Sequence, residues 1–458
     1  MKKTVIYIIL SGWMFAGCGT YSRYHRPDLS TENLYRDMPA DIDTMTIASL
    51  SWREMFTDPK LQSLIETGLE RNADLNVARL RVEAAEAVLM TARLSYLPSL
   101  GLTAEGNANK HDGATAKTYN VGASASWELD IFGKLTKCFQ CLAAKRGAAA
   151  ALQGSRAYRQ AVQTQLVATI ADSYYTLAML DAQMTISNRT LENWRTTVRT
   201  LEALKKVGKS NEAGVLQAKA NVMRLEASLL SIRKSISETE NALSAILAMP
   251  SHSIGRSDLA EAAFPDTVSI GVPLQLLSNR PDVRQAEMEL AQAFYATNAA
   301  RAAFYPNITL SGILGWTNNG GGVIVNPGQW LLNAIGSLTQ PLFNRGVNIA
   351  NLKIAKSRQE EAKLLFRQSL LNAGKEVNDA LTAWQTAKSQ IEINARQVET
   401  LCDAVRKTES LMRHSNTTYL EVLTAKQSLL EAEVQQLQTR FERIQSIIKL
   451  YHALGGGM

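Results

Sequence analysis

The sequence predicts a mainly α-helical, internally duplicated chain that also carries a few β-strands of the kind found in membrane barrels. Three observations predict this. Residues 155–207 and 375–454 contain neither glycine nor proline, so two long stretches have nothing to break a helix. The region beginning at Asp74 recurs from Asp282 at an offset of 208. From Tyr119 to Ile131, apolar and polar residues alternate without exception, which is the period of a strand with one face of each kind.

The chain begins with Lys2 and Lys3, an apolar run from Val5 to Leu10, and then Ser11-Gly12-Trp13-Met14-Phe15-Ala16-Gly17-Cys18. A basic start, a short apolar core and small residues before a break describe an export leader, too short to span a bilayer as a stable helix. Ala16-Gly17-Cys18 resembles a bacterial lipobox, with Cys18 as the lipidated first residue; Phe15 stands where an aliphatic residue is usual. Gly19 follows in place of the aspartate that retains lipoproteins at the inner membrane in many bacteria, so the expected destination is the outer membrane. Loss of the leader removes Lys2 and Lys3 and lowers the net charge from +7 to +5. Cys138, Cys141 and Cys402 remain, an odd number and no disulfide framework. Cys138-Phe139-Gln140-Cys141 has redox or half-zinc-site spacing. No second pair or histidine couple completes a metal site, and two small residues near a helix start account for the pattern.

Duplication organises the rest. Ala78/Ala286, Ala85/Ala293, Ala92/Ala300, Arg93/Arg301, Pro98/Pro306 and Leu102/Leu310 coincide at the same offset, and Val215-Leu216-Gln217-Ala218-Lys219 matches Val422-Leu423-Thr424-Ala425-Lys426 at 207. A period near 200 residues marks a duplicated domain-sized unit, far longer than any solenoid repeat. Each unit reads helix, strand pair, very long helix, turn, returning helix. The expected boundaries are a leader at 1–17 and an anchored segment at 18–57. A first repeat at 58–248 holds strands near 97–108 and 119–131, a long helix near 137–206, a tip at 206–211 and a return helix at 212–248. An inter-repeat segment fills 249–280. The second repeat at 281–454 holds strands near 306–317 and 330–342, a helix near 348–412, a tip at 413–418 and a return helix at 419–454, before a short tail at 455–458. Each long helix, at 1.5 Å per residue, reaches roughly 100 Å.

Leu100 to Glu105, Ile308 to Ser311 and Leu332 to Ala334 repeat the strand alternation more briefly. Trp127, Trp316 and Trp330 lie in or beside these strands, and Tyr96, Phe132, Phe304, Tyr305 and Phe343 mark their ends, as an interfacial aromatic girdle does. Four strands are too few for a sandwich and too few for a membrane barrel, which needs about eight. Open edges cannot face lipid. The chain must therefore pool strands with copies of itself, two copies giving eight and three giving twelve. A mean hydropathy of −0.12 excludes a bundle of apolar transmembrane helices.

At this point the motifs resemble a known family. Trp127-Glu128-Leu129-Asp130-Ile131-Phe132-Gly133-Lys134 and Leu338-Thr339-Gln340-Pro341-Leu342-Phe343-Asn344-Arg345-Gly346 look like the two strand-to-helix motifs of TolC-like outer membrane efflux proteins. Val272 to Glu287 (VPLQLLSNRPDVRQAE) is similar to their inter-repeat signature, and Tyr419 to Lys426 (YLEVLTAK) to the start of their returning helix. With the lipobox, the resemblance is to nodulation-protein-T-like lipoproteins. It implies a homotrimer with a 12-stranded outer membrane barrel continuous with a periplasmic α-helical barrel. It implies as partners a periplasmic adaptor (membrane fusion) protein, an inner-membrane resistance-nodulation-division transporter and outer membrane lipid. It implies an exit duct for small molecules such as drugs or metal ions, with no chemistry of its own and no cofactor beyond the lipid on Cys18. Adaptor docking maps onto Val207 and Gly208 and onto Ser415 and Asn416, although Ser415 stands where glycine is common. Thr417 stands where an acidic gate residue is usual. Glu421, one turn on, is the nearest carboxylate and would form a ring of three; a solvated helix glutamate accounts for it equally.

Rival classes fare less well. His25, His111, His252, His414 and His452 are scattered, and no phosphate-binding glycine loop follows a strand. Gly320-Gly321-Gly322 reads as a loop between strands. Basic residues are dispersed among acids, unlike a nucleic-acid face. A lipid-anchored coiled-coil scaffold accounts for the helices and the anchor but not for the Trp-flanked strands. A type I protein-secretion duct shares the channel architecture.

Overall fold

The computed structural model describes residues 23–27, 50–111, 114–129, 139–208, 211–262, 264, 280–317, 329–413 and 419–456. The leader, Cys18, Cys138, residues 263 and 265–279 of the inter-repeat segment, the Gly320–Gly322 loop and Ser415, Asn416 and Thr417 lie outside them. The elements in order are α1 (Trp52–Met55), α2 (Pro59–Arg71), α3 (Ala73–Leu94), β1 (Ser99–His111), β2 (Ala114–Leu129), α4 (Phe139–Lys206), α5 (Glu212–Ile246), a short 3-10 turn (Leu259–Glu261), α6 (Pro281–Ala302), β3 (Asn307–Thr317), β4 (Gln329–Thr339), α7 (Val347–Arg413) and α8 (Tyr419–Ala453). The mainly helical class and the strand pair in each half are thus as the sequence predicts. β2 starts five residues before the alternation at Tyr119, because the polar tip of β1 supplies ladder partners as far as His111↔Ala114. No described helix is long and apolar enough to cross a membrane.

The chain forms two compact units. The first holds the sheet, the helical stretches 80–94, 139–156, 285–302 and 347–368, and residues 23–27. The sheet is antiparallel throughout, in the order β1-β2-β3-β4. Beneath it small residues let helices close up: Val82 and Leu89 of α3 pack on Leu152 of α4, and a Cβ on Gly154 would just touch Met288 of α6 at 3.4 Å. Thr297 of α6 donates to the Ala355 carbonyl of α7 at 3.1 Å. Arg26 lies over the Phe366 ring, 5.6 Å from its centroid.

The second unit is built around one large apolar cluster. Ser51 and Glu54 cap α1 reciprocally and Asp58 caps α2 ahead of Pro59, an entry that fixes two short helices with few residues. They bury Trp52, Met55, Phe56, Leu61 and Ile65 against Ile170, Tyr174 and Leu177 of α4, Leu243 of α5, and Phe441, Ile447 and Tyr451 of α8. Tyr174 donates to Asp58 at 2.5 Å; burial and that carboxylate push its phenol up to about 12. Arg256 clasps Asp181 with two nitrogens at 2.5 and 2.8 Å and reaches Glu240 at 2.5 Å, a planar fork matched to carboxylates.

The duplication shows in individual hydrogen bonds. Asn72 donates to the Ile246 carbonyl at 2.9 Å, and Arg280, 208 residues on, donates to the Ala453 carbonyl at 2.9 Å. In the first unit Trp127 donates to the Tyr96 carbonyl at 3.1 Å and Gln340 donates to the Phe304 carbonyl at 2.9 Å. Each repeat therefore ties its returning strand to the same carbonyl.

Candidate functional site: a membrane-facing sheet and a helical tip

Paired residues in a sheet share a face, so the register alone assigns the faces. One face carries the rows Leu102–Ala123–Leu314–Leu332, Leu100–Ala125–Gly312–Ala334, Ala104–Val121–Trp316–Trp330 and Leu129–Ile308–Leu338. No polar side chain interrupts them. The other face carries Glu105–Asn120–Thr317–Gln329, Gly101–Ser124–Ile313–Asn333 and Ser99–Ser126–Ser311–Ile335. The apolar face is exposed, Leu102 by 90% and Leu332 by 78%. A patch of that kind in a soluble chain would be an aggregation hazard; against lipid it is required. The 11-residue β3 and β4 are about 36 Å long at ~3.3 Å per residue. Tilted by 35–45°, they rise about 28 Å, close to the ~25 Å apolar band of outer membrane barrels.

Aromatic residues close both ends. At one end Trp316 and Trp330 meet at 5.1 Å between centroids. At the other, Trp127, Tyr96, Phe304 and Phe343 gather where the strands meet the helices. Gly122 and Gly315, opposite one another in β2 and β3, sit on the polar face. A Cβ on Gly122 would lie 2.6 Å from the Leu314 carbonyl oxygen and 2.8 Å from Gly315 Cα, and one on Gly315 would strike the Val121 and Gly122 backbone. The sheet is thus creased between β2 and β3 toward its polar face. β1 and β4 end the sheet, each with one edge unpaired among the described residues.

In the second unit α4 ends at a turn where Val207 is 68% exposed and Gly208 takes φ +72°, a conformation that glycine adopts at no steric cost. Asn211 caps α5 by accepting from Gly214 N at 3.0 Å and also accepts from the Tyr419 hydroxyl at 3.0 Å. The first turn is thereby pinned to the start of α8. Above it lies a hollow of about 1160 Å³ between α4, α7 and α8, floored by Trp194, Leu201 and Leu423. Lys426 crosses it, donating to Thr197 at 2.9 Å and pairing with Glu409 at 2.8 Å, and Arg189 pairs with Glu433 at 2.6 Å. Glu421 is exposed in the first turn of α8, and its neighbours Ser415, Asn416 and Thr417 lie outside the described residues. Sequence reading assigned roles to Val207, Gly208 and Glu421; it placed Asn211 in the tip and Tyr419 and Lys426 in the returning-helix motif without a role for their side chains, and it missed Glu409.

Further along the second unit, a hollow of about 710 Å³ is lined by Asp74, Tyr158, Arg280, Asp282, Glu376 and His452. Arg280 is buried and binds Asp282 at 2.7 and 3.0 Å and Glu376 at 2.7 Å. Burial opposes ionisation of Asp282, but the Arg280 guanidinium overrides it and holds the carboxyl below its ordinary range. Burial, then the same guanidinium, pulls His452 down. No group of three His, Cys, Asp or Glu among the described residues is placed to hold a metal.

Comparison with known proteins agrees with this geometry. A sequence model of the family described as "Outer membrane efflux protein" matches residues 64–249 and 272–456, once for each repeat. The cation efflux system protein CusC of Escherichia coli is 31% identical over 414 residues, covering 89% of this chain and 88% of CusC. The probable outer membrane lipoprotein SilC of Salmonella typhimurium is 30% identical and covers 100% of this chain and 99% of its own. The solved outer-membrane channel OprN superposes with a TM-score of 0.85 at 27% identity, covering 96% of this chain and 99% of OprN. With a bare apolar sheet face, an aromatic-flanked band and a duplicated helical body in place, the chain belongs to the outer membrane efflux protein family and is an outer membrane efflux channel.

Proposed function

We propose that three copies of this chain pool their sheets, β4 of one pairing with β1 of the next, into a 12-stranded barrel whose polar face lines the duct. The observation that carries this is the four-stranded sheet itself: one face apolar from the Leu129–Ile308–Leu338 row to the Ala104–Val121–Trp316–Trp330 row, the other mainly polar, with two open edges among the described residues. Edges cannot remain open in lipid, and four strands cannot close alone. We infer further that the duct is the outer membrane part of a tripartite system, met at Val207, Gly208, Ser415 and Asn416 by a periplasmic adaptor and through it by an inner-membrane transporter of the resistance-nodulation-division type. The cargo is then small molecules such as drugs or metal ions, a reading supported by the cation efflux name of CusC. Cys18 carries the lipid anchor, no other cofactor is needed, and Glu421 lines the periplasmic aperture with Thr417 beside it. The family consists of channels, and the work of transport is done elsewhere.

The test is single-channel recording of the purified full-length chain together with its native mass. A trimer that conducts in planar bilayers is expected. A chain that inserts and conducts as a monomer or dimer, or one that never conducts, overturns the reading.

A further inference from the structure

The four strand–helix junctions all lie at one end of the sheet, because β1 and β3 begin there while β2 and β4 end there. The charge of the chain beside these junctions is predominantly positive, with Glu128 and Asp130 the adjacent acids in sequence. No Asp or Glu occurs from 87 to 104, from 131 to 156 or from 290 to 359. Cations do occur there: Arg93 at the end of α3, Lys145 and Arg146 in the first turns of α4, Arg301 at the end of α6, and Arg345, Lys353, Lys356 and Arg358 where α7 begins. The charge is interleaved with bare apolar groups. Leu342 and Phe343 are 92% and 87% exposed, two residues before Arg345, and Lys145 Nζ lies 5.7 Å from the centroid of the Tyr96 ring. Arg93 precedes Tyr96 and the exposed Leu97 by less than a turn and a half. Glu128 closes the same end of β2 but stands on the polar face.

We propose that this end of the sheet is a collar that binds the phosphate headgroups of anionic phospholipid in the leaflet next to the helical body. The apolar face of the sheet places acyl chains directly against it. Exposed apolar side chains reach into the interface, and the cations behind them sit at headgroup depth, where each attracts an anionic surface. With Glu128 on the polar face, the acid-free stretches limit internal neutralisation and leave most of that field in place. The inference rests on the membrane setting of the sheet but not on trimer number, adaptor or cargo.

The experiment titrates short-chain phosphatidylglycerol, short-chain phosphatidylcholine and inorganic phosphate separately into the full chain in uncharged detergent, and reads thermal unfolding and lipid adducts by native mass. Phosphatidylglycerol should be retained and raise the unfolding midpoint, the other two should not, and 0.5 M NaCl should shrink the effect. Replacing Arg93, Lys145 and Arg345 by Gln should weaken phosphatidylglycerol binding by on the order of a hundredfold, whereas the Arg93→Lys, Arg345→Lys variant should keep it. Equal response to phosphatidylcholine would reduce the collar to acyl-chain contact and overturn the proposal, as would an equal response to phosphate or a salt-insensitive effect in the unmodified protein. A Gln variant that retains phosphatidylglycerol but changes ion selectivity in bilayers would place the collar in the duct, and also overturns it.

Discussion

Gly122→Ala adds one methyl group to an inner strand of the sheet and should cost far more than its size suggests. The new Cβ would stand 2.6 Å from the Leu314 carbonyl oxygen, 3.0 Å from Leu314 C and 2.8 Å from Gly315 Cα. All three are backbone atoms of the neighbouring strand, so no rotamer change relieves the contact. Reaching ordinary van der Waals distance needs a separation of about 0.8 Å between β2 and β3, enough to break one or two ladder hydrogen bonds at roughly 1 kcal/mol each. With an overpacking cost of about 1–3 kcal/mol, the expected loss is about 2–5 kcal/mol. Gly336→Ala is the internal control. It lies on β4, where an added Cβ would meet nothing within 4 Å, and should be neutral or stabilising by about 0.5 kcal/mol through the unfolded chain. Urea unfolding of each variant refolded into vesicles, followed by the fluorescence of the strand-flanking tryptophans, gives the comparison. Equal midpoints for the two variants, or a higher midpoint for Gly122→Ala, would show that the crease does not exist.

Other expectations are as direct. Ala125→Lys, on the apolar face, should impair insertion by about 2–4 kcal/mol near mid-membrane, while Ser124→Lys on the polar face should insert normally; the reverse order in a vesicle-insertion assay would invert the faces. Asn211→Ala should cost about 1 kcal/mol as a lost cap and speed hydrogen exchange at the starts of both α5 and α8, since Tyr419 loses its acceptor as well. Exchange confined to α5 would deny the link. His452 is held below its ordinary value when folded, so protonation favours the unfolded chain. Stability should therefore be unaffected by this group above about pH 6.5 and fall as pH drops below it. His452→Gln should flatten that slope between pH 7 and 5, and an unchanged slope assigns it to the carboxylates. Cys18→Ser should abolish incorporation of labelled fatty acid; persistent labelling refutes the lipobox.

What could be read without coordinates was whatever has a period. The run without glycine or proline from 375 to 454 and the 13-residue alternation from Tyr119 announced helix and strand, and the face of every other strand followed once register was known. Partnerships had no such signal. Lys426 finds Thr197 across 229 positions, and nothing in the composition of either helix says so. The crease was equally silent, because Gly122 is one glycine among 27 until Gly315 stands opposite. Lys and Arg dispersed along 458 residues suggested no particular partner; folding brings the acid-free segments to one end of the sheet and makes them a collar.

The bare face of the sheet also has a consequence for how the protein is made. Between export and insertion, each copy carries leucines and tryptophans with nothing to cover them and two strand edges ready to accept any passing strand. Such a species is aggregation-prone at ordinary concentrations, so the solitary copy is a transit state that must be escorted or kept brief. With the sheets pooled between copies as proposed, the supply of the channel is governed by the rate at which copies meet one another and lipid. A change that only slows that meeting would lower the number of pores in the cell while leaving every finished pore intact.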